Sequence, residues 1–254
     1  MTEAKPRGRF VWFDLITSNP DAAPAFYSPV TGWETMKWEG PAEYTMWTTN
    51  GAPLGGVMKL PAANVPPHWL AYISTPDVDA TVKQAVDLGA RVATPPTDIP
   101  TVGRFAVMAD PQGAVFAAFA PESTARGHDG APTQGEFSWH ELATHDYPAA
   151  FRFYERLFGW EKRSEMDMGG GNMYLLYGRK DREMGGMYNK TAEMPGPPAW
   201  THYVMVDSVD RAVDAVKARG GQVLVGPMEV PGGDWIAQCM DPQGAVFAVH
   251  AKKR

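Results

Sequence analysis

"DPQGAVFA" occurs twice, unchanged, at Asp110–Ala117 and at Asp241–Ala248. The identity is the centre of a longer one. Upstream, "FVWFDLITSNPDAAPAFYSPVTGWE" (10–34) aligns with "FSWHELATHDYPAAFRFYERLFGWE" (137–161). Glu34 then matches Glu161, whereas Asp110 matches Asp241, so the second copy holds a few extra loop residues. "MGGGNMY" (168–174) is one place for them. Between the copies, "APESTARGHDGAPTQGE" (120–136) is rich in Gly, Pro, Ser and Thr and has no apolar period, which marks a linker. The predicted organisation is a domain over 8–120, a linker over 121–135 and a second domain over 136–251. A chain of 254 residues, 44% hydrophobic, suffices for two cores. Within the octapeptide, Pro and Gly suit a tight turn between two strands, so Asp110-Pro-Gln-Gly113 reads as structural.

Each copy contains a fainter repeat. "FVWFDLI" is followed by Asn19-Pro20-Asp21, a helical pattern and Gly32-Trp33. "HWLAYIS" is followed by Thr75-Pro76-Asp77, "VDATVKQAVDLGA" and Gly89-Ala90. Pro and Asp suit the first turn of a helix and Gly suits its end. Short strands with turn signals follow each helix. The chain therefore reads as an α+β protein of four βαβββ units.

Net charge is −6, which argues against nucleic acid or an anionic membrane as partner. The basic ends, Lys5-Pro-Arg7-Gly-Arg9 and Lys252-Lys-Arg254, read as solvated tails. Cys239 is the single cysteine, so no internal disulfide forms. No early apolar run resembles a signal-peptide core and none is long enough to span a bilayer. A cytoplasmic protein, monomeric or homodimeric, with a small-molecule ligand is expected.

Four βαβββ units, the "FY…GW" helices and the closing "DPxG" hairpins resemble the vicinal oxygen chelate superfamily, the fold of glyoxalase I, bleomycin-resistance proteins and extradiol dioxygenases. "VGRFAV…DPQGA" (102–114) is similar to the tandem glyoxalase-like antigens of mycobacteria. The resemblance implies two tandem domains, each a curled mixed sheet around a cavity. It also implies metal-ligand positions, which fall here on Trp12 and Trp139, Leu70 and Thr201, Ala117 and Ala248, and near Gly56 and Gly186. None of these residues is a metal donor. The closing Ala of each octapeptide stands where the family places a carboxylate. No metal and no cofactor are therefore expected.

Strand residues two apart share a face. From those positions, Trp12, Asp14, Tyr72 and Phe119 are expected to line the first cavity. Trp139, Glu141, Thr201, Tyr203 and His250 are expected to line the second. Glu141, Asp14 and His250 are the candidate catalytic residues; a carboxylate among rings is a candidate acid or base. The competing reading is that the two carboxylates accept hydrogen bonds from loops at the cavity mouth, and that His250 is a partly exposed surface residue. "HELATH" (140–145) is not the zinc motif HExxH, because its second His comes one residue late on a strand. His140 should face the helices and His145 the loop, while His68 and His202 should point away from the cavities. Three functions stay open. They are a metal-independent glyoxalase-like lyase or isomerase, a binder of bleomycin-resistance type, and a metal-dependent glyoxalase or dioxygenase.

Overall fold

The computed structural model describes residues 6–40, 43–122, 127–194 and 196–254. The first repeat runs β1 (Phe10–Thr17), α1 (Ala23–Thr31), β2 (Glu34–Lys37), β3 (Thr45–Thr49), β4 (Ala52–Lys59), β5 (His68–Ser74), α2 (Val78–Asp87), β6 (Arg91–Ile99), β7 (Gly103–Ala109) and β8 (Val115–Pro121). The second runs β9 (Phe137–Thr144), α3 (Tyr147–Phe158), β10 (Glu161–Asp167), β11 (Met173–Arg179), β12 (Arg182–Asn189), β13 (Ala199–Met205), α4 (Val209–Ala218), β14 (Gln222–Glu229), β15 (Trp235–Met240) and β16 (Val246–Ala251). The four βαβββ units are all present. Each repeat forms one open, mixed sheet of eight strands, ordered β2-β3-β4-β1-β5-β8-β7-β6 and β10-β11-β12-β9-β13-β16-β15-β14. Within every unit the first and last strands pair in parallel, across the helix, and the others form antiparallel hairpins.

Helix starts follow the expected chemistry. The side chains of Asp77, Asp146 and Ser208 accept the backbone N–H of Ala80, Ala149 and Arg211 and so cap α2, α3 and α4. Asn19 caps the short turn of 3-10 helix, Pro20–Ala22, that leads into α1. No helix among the described residues is long and apolar enough to cross a membrane.

The chain forms two compact units, and each draws on both repeats. One comprises Met1–Trp12, Ala71–Asp129 and His140–Trp200; the other comprises Phe13–Leu70, Gly130–Trp139 and Thr201–Arg254. The octapeptides explain the first. Asp110 Oδ1 accepts the N–H groups of Gln112 and Ala114, closing the turn, and Oδ2 accepts the phenol of Tyr154 on α3 at 3.1 Å. Trp200 Nε1 donates to the same phenol oxygen at 3.1 Å. The second unit repeats the scheme. Asp241 Oδ1 accepts from Gln243 and Ala245, Oδ2 accepts Tyr27 of α1 at 2.9 Å, and Trp69 Nε1 donates to Tyr27 at 3.1 Å. Gly113 and Gly244 take φ of 106° and 102°, the left-handed region the turn requires. Each octapeptide thus binds the "FY" helix of the other repeat. Burial pushes the Tyr27 and Tyr154 phenols well above their usual range, and the neighbouring carboxylates push the same way.

The basic N-terminal stretch is not a solvated tail. The guanidinium of Arg7 donates to the carbonyls of Arg156 and Leu157, and Arg9 pairs with Asp129 at 2.8 Å. Asp129 also pairs with Arg179 and Lys180, and the Arg9 bond foremost holds its carboxyl well below the usual range. Lys5 lies outside the described residues. At the other end Arg254 pairs with Asp210 and Lys253 with Asp207, all at the surface. Linker residues 123–126 also lie outside the described set. Further along, Gly135 O accepts Trp33 Nε1 at 2.6 Å.

Candidate functional site

Asp14 of β1 is a register partner of Gly56 on β4, and Gly56 is a partner of Met46 on β3. These residues share one sheet face. Tyr44, two residues before Met46, lies across Gly56 and donates its phenol hydrogen to the Asp14 carboxylate. A methyl group at Gly56 would overlap the Tyr44 ring, so the glycine is what lets the ring lie down. The second repeat builds the same group. Glu141 partners Gly186, which partners Leu176. Tyr174, two residues before Leu176, donates to Glu141 Oε1 at 2.6 Å, and a methyl at Gly186 would overlap its ring. Tyr188 stacks on Tyr174 with centroids 5.8 Å apart and rings 16° from parallel. Asp14 is 3% exposed; Glu141 is half-buried. Each carboxylate accepts a phenol of its own βαβββ unit, Tyr44 from the loop just before β3 and Tyr174 from β11. A phenol that donates to a carboxylate makes a strong, charge-assisted bond.

Tyr44 and Tyr174 were not among the expected site residues. The sequence carries a signal for them, since "YTMW" (44–47) and "YLLY" (174–177) occupy matching places. Of the expected ones, Tyr72 and Phe119 meet edge-on at 6.1 Å, and Tyr72 is a register partner of Ala117. Tyr203 is a register partner of Ala248, and its hydroxyl accepts Gln238 Nε2 at 2.8 Å. Trp12 is buried, whereas Trp139 and Thr201 are half-buried. His250 is a partly exposed residue hydrogen-bonded to Ser138 and Asp234.

The remaining histidines lie apart from these groups. His140 packs on Phe10 with ring centroids 3.9 Å apart, and His145 is exposed. His202 is buried edge-on to Phe13, at 5.2 Å, and desolvation pushes its imidazole down to about 3. His68 is half-buried, with Nδ1 2.8 Å from the Pro66 carbonyl. Cys239 sits buried in β15, and burial pushes its thiol up to about 12, so it is no nucleophile.

The donor set does not fit a metal of the kind the fold family holds. The positions that the resemblance implies carry Trp, Leu, Thr, Ala and Gly, and tyrosine rings fill the space above Gly56 and Gly186. Among the described residues no three His, Cys, Asp or Glu side chains converge for an ion.

Two family models match the chain. Glyoxalase-like domain matches residues 10–119, and Glyoxalase/Bleomycin resistance protein/Dioxygenase superfamily matches residues 136–249. A putative glyoxylase, CFP32, of Mycobacterium tuberculosis is 41% identical over 116 residues, 45% of this chain and 44% of that protein. The matched stretch spans less than half the length of that relative. The anthracycline biosynthesis protein DauV of a Streptomyces species is 28% identical over 98% of this chain and 94% of its own. Among solved structures, 2,2',3-trihydroxybiphenyl 1,2-dioxygenase of Sphingomonas wittichii has a TM-score of 0.68 at 15% identity, over 98% of this chain and 91% of that one. The Mn(II)-bound glyoxalase of Novosphingobium aromaticivorans has a TM-score of 0.65 at 18% identity, over 98% and 83%. At such identities the structures speak for the fold alone.

Proposed function

The chain belongs to the glyoxalase/bleomycin resistance protein/dioxygenase superfamily, and from that premise we propose that it binds a small oxygen-bearing organic molecule and moves a proton on it without a metal ion. The observation that carries this reading is the pair of matched groups, Tyr44–Asp14 over Gly56 and Tyr174–Glu141 over Gly186. On an α-hydroxy carbonyl ligand the carboxylate takes the proton from carbon. Once protonated, it is a weak acceptor, and the phenol O–H turns to the enolate oxygen that develops. The proton then returns to the neighbouring carbon while the hydroxyl proton crosses to the former carbonyl oxygen, giving the isomeric hydroxy carbonyl. Such catalysis is slower than a metal's, because a single phenol replaces the metal's hold on the enediolate. Glu141 reaches one carbon further than Asp14, so the second repeat is the more active. The acidic charge fits a small-molecule role, as a monomer or homodimer in the cytoplasm, better than one on nucleic acid or membrane.

The test is turnover by EDTA-dialysed protein on α-oxoaldehydes, α-hydroxy ketones and, given the names of the Streptomyces relatives, hydroxylated polycyclic ketones. Glu141→Gln and Tyr174→Phe should each lower turnover about 10²-fold or more, and Asp14→Asn by less. Activity that needs an added divalent ion, or that survives Glu141→Gln intact, overturns the reading. Saturable binding without turnover leaves the binder of bleomycin-resistance type in its place.

A further inference from the structure

Ser138, at the start of β9, His250, on β16, and Asp234, just before β15, form a polar chain outside both tyrosine–carboxylate groups. Ser138 Oγ lies 2.9 Å from His250 Nδ1, and His250 Nε2 lies 2.8 Å from Asp234 Oδ2. Ser138 Oγ also lies 3.2 Å from the carbonyl oxygen of Tyr203. The acceptors decide where the protons sit. A carboxylate only accepts, so Nε2 carries the hydrogen that meets Asp234. In the neutral imidazole Nδ1 is then the acceptor, and the Ser138 hydroxyl points at it. When Nδ1 is protonated, it donates to Ser138 Oγ, and the hydroxyl turns to the Tyr203 carbonyl. Both protonation states of His250 are hydrogen-bonded throughout, so the ring takes and returns a proton with one hydroxyl rotation.

His250 lies on the face of β16 away from α1. His250 and Ala248 are two apart on β16, while Phe247, on the other face, packs against Phe26 and Tyr27 of α1. The first repeat carries Val11, Phe119 and Gly103 at the three equivalent places. There the Phe119 ring lies against Gly103, where a methyl group would crowd it. One repeat thus has all three polar groups and the other has none.

We propose that Ser138, His250 and Asp234 form a second reactive site, in which Ser138 is a nucleophile toward small activated acyl esters. A nucleophile hydrogen-bonded to a base that a carboxylate orients is the arrangement such chemistry requires. Ser138 Oγ bonds to the acyl carbon as its proton passes to His250 Nδ1. The C–O bond to the leaving alcohol breaks, and that alcohol takes the proton from Nδ1. Water then attacks the acyl-serine, giving its proton to His250, and the carboxylic acid departs as Ser138 recovers its hydrogen. Ser138 is 7% exposed, so only a short acyl chain reaches it.

The experiment treats the full chain with a small alkyl fluorophosphonate, which bonds through phosphorus to a reactive serine with loss of fluoride. In parallel, p-nitrophenolate release from p-nitrophenyl acetate is followed. One adduct per chain is expected, mapped to Ser138, with a stoichiometric burst from the acetate and little from the decanoate. Ser138→Ala should abolish both, and His250→Gln and Asp234→Asn should slow labelling tenfold or more at an unchanged unfolding midpoint. If Ser138→Ala does not fold, Ser138→Cys keeps the size, and its thiol should react with iodoacetamide faster than Cys239 does. No adduct on the folded protein, an adduct elsewhere, or an inert thiol at position 138 overturns the proposal. Glu141→Gln is expected to leave the labelling unchanged, which separates this site from the one above.

Discussion

Removing one oxygen from Tyr27 tests the reading of the repeated octapeptide. In Tyr27→Phe the Asp241 carboxylate loses a buried donor, and Trp69 Nε1 loses the oxygen it donates to. The site is closed: Tyr27 is 1% exposed, Asp241 2% and Trp69 5%. A lost hydrogen bond to a charged group costs about 1.5–3 kcal/mol, and a buried donor left unmade adds about 1 kcal/mol more. The expected loss is about 2.5–4 kcal/mol, read as a lower urea midpoint at unchanged slope. Asp241→Asn should cost less, about 1–2 kcal/mol. Its Oδ1 still accepts from Gln243 and Ala245, and only the phenol hydrogen is left without an acceptor. The double variant should then cost less than the sum of the two, because both remove one bond. Tyr154→Phe should match Tyr27→Phe, since Asp110 and Trp200 repeat the arrangement. A Tyr27→Phe midpoint within about 0.5 kcal/mol of the parent's would refute the reasoning, because the pair would then be an incidental contact.

Other expectations follow from single groups. His202, pushed down to about 3 by burial, stays neutral when folded and takes a proton when unfolded near 6.5. Stability should therefore fall as pH drops below about 6.5, by about 1.4 kcal/mol per unit at most, until the folded group titrates. His202→Phe should flatten that slope in urea titrations at stepped pH, and an unchanged slope counts against it. The raised phenols of Tyr27, Tyr154 and Tyr177 act at the other end. They keep their protons in the fold, so stability is lost as pH rises above about 10, and ultraviolet titration should show phenolate from them only on unfolding. Gly186→Ala should displace the Tyr174 ring and abolish ligand binding without unfolding the protein, because the overlapped group is a side chain. Gly185→Ala meets the His140 carbonyl instead and should fail to fold; a well-folded Gly185→Ala, judged by near-ultraviolet dichroism, contradicts the packing.

The fold was legible because its signals are local and repeated. Apolar runs such as "FVWFDLI" became β1, which is buried along its whole length, and Asp77 is the cap its place before an amphipathic run implies. The turn in "DPQGAVFA" was legible for the same reason. Its tyrosine partner was not, because Tyr27 and Asp241 lie far apart in the chain and belong to different repeats. Asp14 and Glu141 were found from strand alternation, but their phenols require the register of β4 and β12, which no short pattern encodes. Ser138 and Asp234 lie on other elements than His250, and only the folded sheet brings the three together. Arg7 and Arg9 looked solvated because nothing local supplies the carbonyls of α3 or the carboxylate of Asp129.

The cross-repeat bonds decide what happens when the chain is cut. Tyr27 finds its carboxylate in the second repeat and Tyr154 finds its own in the first. A fragment ending at Asp129 therefore keeps Tyr27 and Asp110 but loses the partner of each. It cannot remain a folded monomer without burying a lone phenol beside Trp69 and leaving Asp110 Oδ2 without the phenol that donates to it. Two copies of the fragment relieve this, with Tyr27 of each copy donating to Asp110 of the other, because the octapeptide is identical in both repeats. The fragment should sediment as a dimer. Adding the fragment 130–254 should convert it to a one-to-one complex, in which the native Tyr27–Asp241 and Tyr154–Asp110 bonds reform. Tyr27→Phe should weaken both assemblies. A first-repeat fragment that sediments as a folded monomer at micromolar concentration would show that each repeat carries its own stability and that the tyrosine–aspartate bonds only orient it.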